Sequence, residues 1–183
     1  MCPGRGEGEA PAEPKSLPSR QHPAHGVRSD SHDPIIIFLT VCTKDRSPWL
    51  ANAEVHSLLR EVWSGADAWL IGQYVIMPEH LHLFAAPNPV WEGEVREGLA
   101  TPVGAPAEPP SFDSWVRYWK SQFTKRHGNV EHQWQPDHWD RRLRREESYA
   151  GKWEYVRNNP VRHALVSDSG LWPHQGRLHD LNW

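Results

Sequence analysis

Between Ile35 and Asn158 the spacing of apolar residues switches repeatedly between a strand period and a helix period. Ile35-Ile36-Ile37-Phe38-Leu39-Thr40-Val41 is a short, β-branched apolar run, the pattern of a central strand. From about Ala53 to Ala66, Val55, Leu58, Leu59, Val62 and Trp63 fall at i, i+3, i+4, i+7 and i+8, which predicts an amphipathic helix. Asn52 stands where an N-cap is needed and Gly65 near the helix end. Trp69 to Met77 and Leu81 to Ala86 read as two more strands, and the short link Pro78-Glu79-His80 makes them an antiparallel hairpin. Ser111 is placed to cap a second helix that buries Phe112, Trp115, Val116, Trp119 and Phe123 and stops at Gly128. Gln133 to Leu143 reads as a fourth strand or an extended segment. A last helix is predicted from about Glu146 to Asn158, where Pro160 ends it. The order β-α-β-β-α-β followed by a helix predicts an α+β fold: a ferredoxin-like (RRM-like) antiparallel sheet with helices on one face and an added C-terminal helix.

Two stretches carry neither period. Residues 1–33 are rich in Pro, Gly, Ser, Glu and Arg, with too little apolar surface to offset chain entropy, and read as a disordered tail. A second such run, from about Pro87 to Pro110, reads as a mobile insertion within the domain. A hydrophobic fraction of 38% fits a chain with part of its length outside the core. Eleven tryptophans supply much of the burial capacity, and most are expected in the core.

Charge changes the picture only through its distribution. The formal net charge of -3 argues against nucleic-acid binding, because phosphate contacts need Lys and Arg. Yet Trp115 to Arg145 holds eight basic residues against three acidic ones. On charge alone, a solvated surface explains that stretch equally well. Cys2 and Cys42 are the two cysteines, and Cys2 lies in the tail, so a disulfide framework is not expected and a reducing cytoplasm fits. The start of the chain lacks a secretory pattern, and no apolar run approaches the roughly 18–20 residues that span a bilayer. A soluble, intracellular protein is expected.

Two features carry chemistry. In His80-Leu81-His82 the strand period of two projects both imidazoles from one face, where they can hold a divalent metal, while Leu81 and Leu83 enter the other face. In a chain with 12 histidines such pairs also arise by chance. In the last helix the apolar stripe is Tyr149, Trp153 and Val156. Tyr155 lies off it, about 240° round from Tyr149 at 100° per residue, and shares its side with Lys152 and Asn159. An amphipathic surface tyrosine is the plain explanation, and a tyrosine held out for chemistry is the other.

Met77-Pro78-Glu79-His80-Leu81-His82-Leu83 resembles the "MPNHVHLL" signature of the REP-associated tyrosine transposases, relatives of the single-tyrosine HUH transposases. Downstream, Trp134-Gln135, then Asp140-Arg141 and Arg144, then Tyr155-Val156-Arg157-Asn158-Asn159-Pro160-Val161-Arg162 is similar to that family's "WQ…D…R…YIxxNPVRAGLV" block. The resemblance covers roughly residues 34–172, which delimits a catalytic domain and leaves 173–183 as a C-terminal extension. Glu79 stands where the family has Asn, and His163-Ala164 where Ala-Gly is common.

The resemblance implies a metal-dependent endonuclease and strand transferase acting on single-stranded or hairpin DNA through a 5′-phosphotyrosine intermediate. It makes Tyr155, on the C-terminal helix, the nucleophile, and His80, His82 and Asn159 the ligands of Mg2+ or Mn2+, the i to i+4 relation letting one helix present both Tyr155 and Asn159. Lys152 is read as support, favouring the phenolate or touching a phosphate. Arg117, Lys120, Lys125, Arg141 and Arg144 are the expected phosphate contacts, and exposed tryptophans are expected to stack on unpaired bases. The family includes monomers and homodimers, and its activity implies a cytoplasmic, nucleoid-associated protein. Two other readings compete: a non-catalytic hairpin DNA- or RNA-binding module on the same fold, and a zinc-dependent hydrolase using His80 and His82 with His132 or His138.

Overall fold

The computed structural model describes residues 35–91, 109–143 and 149–181. The N-terminal tail, residues 92–108 of the insertion, Arg144 and the start of the last predicted helix lie outside the described residues.

The sheet has five strands in the order β4-β1-β3-β2-β5, with every pairing antiparallel. Its strands are β1 (Ile37–Cys42), β2 (Trp69–Ile76), β3 (His80–Pro87), β4 (Trp139–Arg142) and β5 (Gln175–Arg177). Helices α1 (Ala53–Ser64) and α2 (Phe112–His127) connect the strands in the ferredoxin-like order, and α3 (Tyr149–Arg157) and α4 (Asn159–Arg162) follow β4. The α+β fold is therefore as predicted.

Local chemistry sets the helix ends. The Asn52 side chain accepts the Val55 N–H at 2.9 Å, and that of Ser111 accepts from Ser114. Gly128 ends α2 at φ 69°, a left-handed conformation that an L side chain resists.

The sheet is covered on both faces. Leu39, Val41, Ile71, Leu81, Leu83 and Ala85 form one core with Val55, Leu59 and Trp63 of α1 and Trp115, Val116, Trp119 and Phe123 of α2. Each aliphatic side chain fully withdrawn there contributes roughly 1.5–3 kcal/mol. On the other face Ile36, Phe38, Val75, Met77 and Phe84 pack with Val156, Tyr149 and Trp153 of α3. The stripe predicted for that helix is thus the one it buries.

Three local expectations change. Pro160 does not end the helical path; it sits in the first turn of α4, where its missing N–H costs nothing. The break falls at Asn158, so Tyr155 and Asn159 lie on consecutive helices and not on one. Finally, the folded unit runs past residue 172: Gln175–Arg177 pairs with β2, and Leu181 packs beside α3.

Gly72, at an irregularity in β2, is what lets α3 approach. A Cβ there would lie 2.7 Å from Leu181 and 2.8 Å from the Tyr149 hydroxyl, which accepts the Gln73 N–H at 3.2 Å. Gly72→Ala is expected to cost about 1–3 kcal/mol through overpacking, read from the urea midpoint. An unchanged midpoint would show that this packing does not fix α3.

Candidate active site

His80 and His82 project from β3 onto the α3 face, because Leu81 and Leu83 between and beyond them belong to the opposite core. Their ring centroids are 4.7 Å apart. Each Nδ1 has its own partner. His80 Nδ1 lies 3.0 Å from Glu79 Oε1, and since a carboxylate only accepts, this nitrogen carries the proton. His82 Nδ1 lies 2.8 Å from the Thr40 hydroxyl, directly across the β1–β3 ladder. Phe38 stacks on the His82 ring at 5.3 Å.

Burial disfavours the charged imidazole at both positions. It lowers the pKa of His80, with Glu79 pulling the other way. At His82 burial, helped by His80 and Lys152, brings the pKa down to about 3. Two neutral rings, each tied at Nδ1, turn Nε2 into the nitrogen left for another partner.

Tyr155 occupies the last turn of α3 and is 56% exposed. Two cations flank its ring: Lys152 Nζ at 5.5 Å from the centroid and the Arg162 guanidinium carbon at 4.6 Å. The same lysine lies 5.1 Å from the Phe38 centroid, so it links the tyrosine to the ring that covers His82. Arg162 also donates to Asn159 Oδ1 at 3.3 Å. Asn159 is buried at the start of α4, and past the end of that helix His163 brings its ring to 6.3 Å from His80. Arg162 was not singled out for a role by sequence reasoning; its spacing from Asn159, one helical turn on, was the available signal.

The predicted phosphate contacts separate. Arg141 is exposed on β4 and pairs with Phe38, which sets it on the Tyr155 side of the sheet. Arg117 and Lys125 are exposed on α2, across the sheet from Tyr155. Arg144 lies outside the described residues. Lys120 is buried, and its Nζ donates to the Gln135 carbonyl at 2.7 Å and the Pro136 carbonyl at 3.1 Å. Burial brings its pKa down to about 8. In this way it clamps the loop before β4.

The histidines of the hydrolase reading are elsewhere. His132 stacks on Trp49 at 4.8 Å, in the α1–α2 core region. His138 Nε2 lies 3.1 Å from Asp113 Oδ1 and 3.7 Å from Asp140 Oδ1. Among the described residues this is the one group of three His, Cys, Asp or Glu side chains whose donor atoms come within 4.8 Å of one another. Its donors are of the kind that hold divalent cations, but Asp140 pairs with Leu39 and so faces the α1–α2 side, away from His80 and His82.

No family model matches the chain. Over 138 residues it is 29% identical to the REP-associated tyrosine transposase of Escherichia coli (strain K12), covering 74% of this chain and 72% of that protein. An uncharacterized protein of Haemophilus influenzae is 23% identical over 142 residues, covering 68% and 79%. A REP-associated tyrosine transposase solved bound to a REP hairpin has the same fold, with TM-score 0.57 and 26% identity over 76% of this chain and 74% of that one. In fold and in sequence the chain is thus similar to REP-associated tyrosine transposases.

Proposed function

We propose that the chain is a metal-dependent enzyme that nicks single-stranded DNA beside a hairpin and transfers the strand through a 5′-phosphotyrosine. The observation that carries this reading is one exposed tyrosine with two cations against its ring, on the same sheet face as the buried His80 and the half-buried His82. A tyrosine placed only for packing would not stand clear of its helix's buried stripe.

The donor set fits a divalent cation. His80 and His82 would supply Nε2 and Asn159 its amide oxygen, a mixed imidazole and amide set that suits Mg2+ or Mn2+ with remaining waters better than a closed structural zinc site. When bound, the ion polarises the scissile phosphate and offsets developing charge. Tyr155 Oη attacks phosphorus, a bond forms between that oxygen and the 5′-phosphate, and the P–O3′ bond breaks. The 3′ oxygen leaves with a proton as a hydroxyl. Because one phosphodiester replaces another, rejoining needs no nucleotide cofactor. Lys152 and Arg162 put positive charge beside the nucleophile, where the phosphate must approach.

Glu79 holds His80 in the tautomer a metal needs, the carboxylate–histidine arrangement that orients ligands in metal sites. Glu79→Ala is expected to weaken Mn2+ binding by about 10- to 100-fold in titration calorimetry, with Glu79→Gln retaining part of it. Equal affinity in wild type and Glu79→Ala would remove Glu79 from the site.

The reading as a whole is tested with hairpin-bearing single strands labelled at the 3′ end and incubated with Mn2+. A labelled protein band on a denaturing gel is the expected result. Hairpin binding with no adduct would favour the non-catalytic binding module.

A further inference from the structure

Among the described residues the exposed aromatic side chains are Tyr155 and Trp139, the latter 41% exposed. Both stand on the same side of the sheet. Trp139 pairs with Thr40 across the β1–β4 ladder, and Thr40 is the residue whose hydroxyl meets His82. Directly opposite residues of an antiparallel pair share a face, so Trp139 shares the face of His82. Its ring lies 5.7 Å from Phe38 at 75°, and a perpendicular contact covers far less of an indole than stacking would. Phe38 in turn lies under Lys152 Nζ, which borders Tyr155. Arg141, two residues along β4 and opposite Phe38, is exposed on the same face.

The result is a strip running from Tyr155 over Lys152 and Phe38 to Trp139, three aromatic rings with a cation between the first two, ending at the β4 edge of the sheet. Cations tracking a backbone with an open aromatic face beside them is the composition that binds unpaired nucleic acid. Apart from that edge contact with Phe38, the Trp139 indole belongs to neither core. Resting on the nuclease reading, we propose that Trp139 is the stacking platform for one unpaired nucleobase next to the scissile phosphate, with Arg141 holding the adjacent phosphate. Every base has a π face, so this subsite accepts purines and pyrimidines alike and fixes the strand's path rather than its sequence.

The test uses the full chain carrying Tyr155→Phe, in EDTA, so that neither cleavage nor metal enters the readout. Trp139→Ala is expected to weaken binding of a hairpin with a single-stranded flank by about 5- to 150-fold, while Trp139→Phe retains most of it. Affinity for the blunt hairpin stem alone stays unchanged in both. With 5-iododeoxyuridine placed in turn along the flank, ultraviolet crosslinking is expected to reach Trp139 from a position beside the cleavage site. Equal affinity of Trp139→Ala for flanked hairpin, or crosslinks that map only elsewhere, would overturn the proposal. Adduct formation with Tyr155 intact reports on the nuclease reading separately. Crosslinking at Trp139 without any adduct would keep the base subsite and discard the chemistry.

Discussion

Tyr155→Phe eliminates the covalent protein–DNA adduct while leaving the protein folded and able to hold the hairpin. The substitution removes one oxygen, and that oxygen is the proposed nucleophile. At 56% exposure the side chain contributes little to packing, and its folding stability is expected to move by no more than about 0.5 kcal/mol. The two neighbouring cations, Lys152 and Arg162, keep their contacts with a phenyl ring. A gel-shift assay with the hairpin and a denaturing gel for the adduct therefore separate: binding persists and the covalent band falls below detection. The other three tyrosines offer no substitute: Tyr74 is buried with its hydroxyl 2.9 Å from His56 Nε2, Tyr149 packs into the second core, and Tyr118 packs against the α1–α2 core across the sheet. An adduct that survives in Tyr155→Phe would assign the chemistry to another residue.

The second large effect concerns metal and its pH dependence. His82→Ala and His80→Ala are each expected to reduce Mn2+ affinity by more than the ~100-fold that marks the upper range for outer partners of a metal ligand. Adduct formation falls with it. A ligand nitrogen has to be deprotonated, so protons compete with metal below the imidazole pKa. Burial lowers that pKa at both histidines, to about 3 at His82, so the competition begins at a lower pH than the ordinary 6.5 allows. Mn2+ affinity in wild type is therefore expected to stay level as the pH falls from about 8 to about 6. A decline with a midpoint near 6.5 would mean that the ligand imidazoles are solvated. Thermal melts of each variant keep a folding defect distinct, because loss of His82 strands the Thr40 hydroxyl at a cost of about 1–3 kcal/mol.

Much of this was legible from residue order because local rules and packing agree there. The Asn52 and Ser111 caps, the stop at Gly128 and the two faces of β3 follow from side-chain chemistry and a period of two. Tyr155 was separable from the α3 stripe for the same reason. What was not legible depends on partners distant in sequence. Gln175-Gly176-Arg177 has no apolar alternation and is a strand only because β2 offers an open edge. Pro160 read as a terminator, but the same locked φ starts α4. Lys120 reads as a phosphate contact from its charge, yet it stands four residues after Val116 and three before Phe123, on the buried stripe of α2. That spacing was the signal. The place of Trp139 beside Phe38 needed the β1–β4 register, which no local pattern supplies.

In the proposed reaction one side chain, the Tyr155 phenol, becomes joined to the 5′ end of cut DNA. The most direct test is peptide mass spectrometry of the nuclease-trimmed adduct formed with Mn2+ and a hairpin-bearing single strand. A single modified peptide, carrying a 5′-linked nucleotide on Tyr155, is the expected result. A nucleotide linked through its 3′ end, or attached to any other residue, would contradict it.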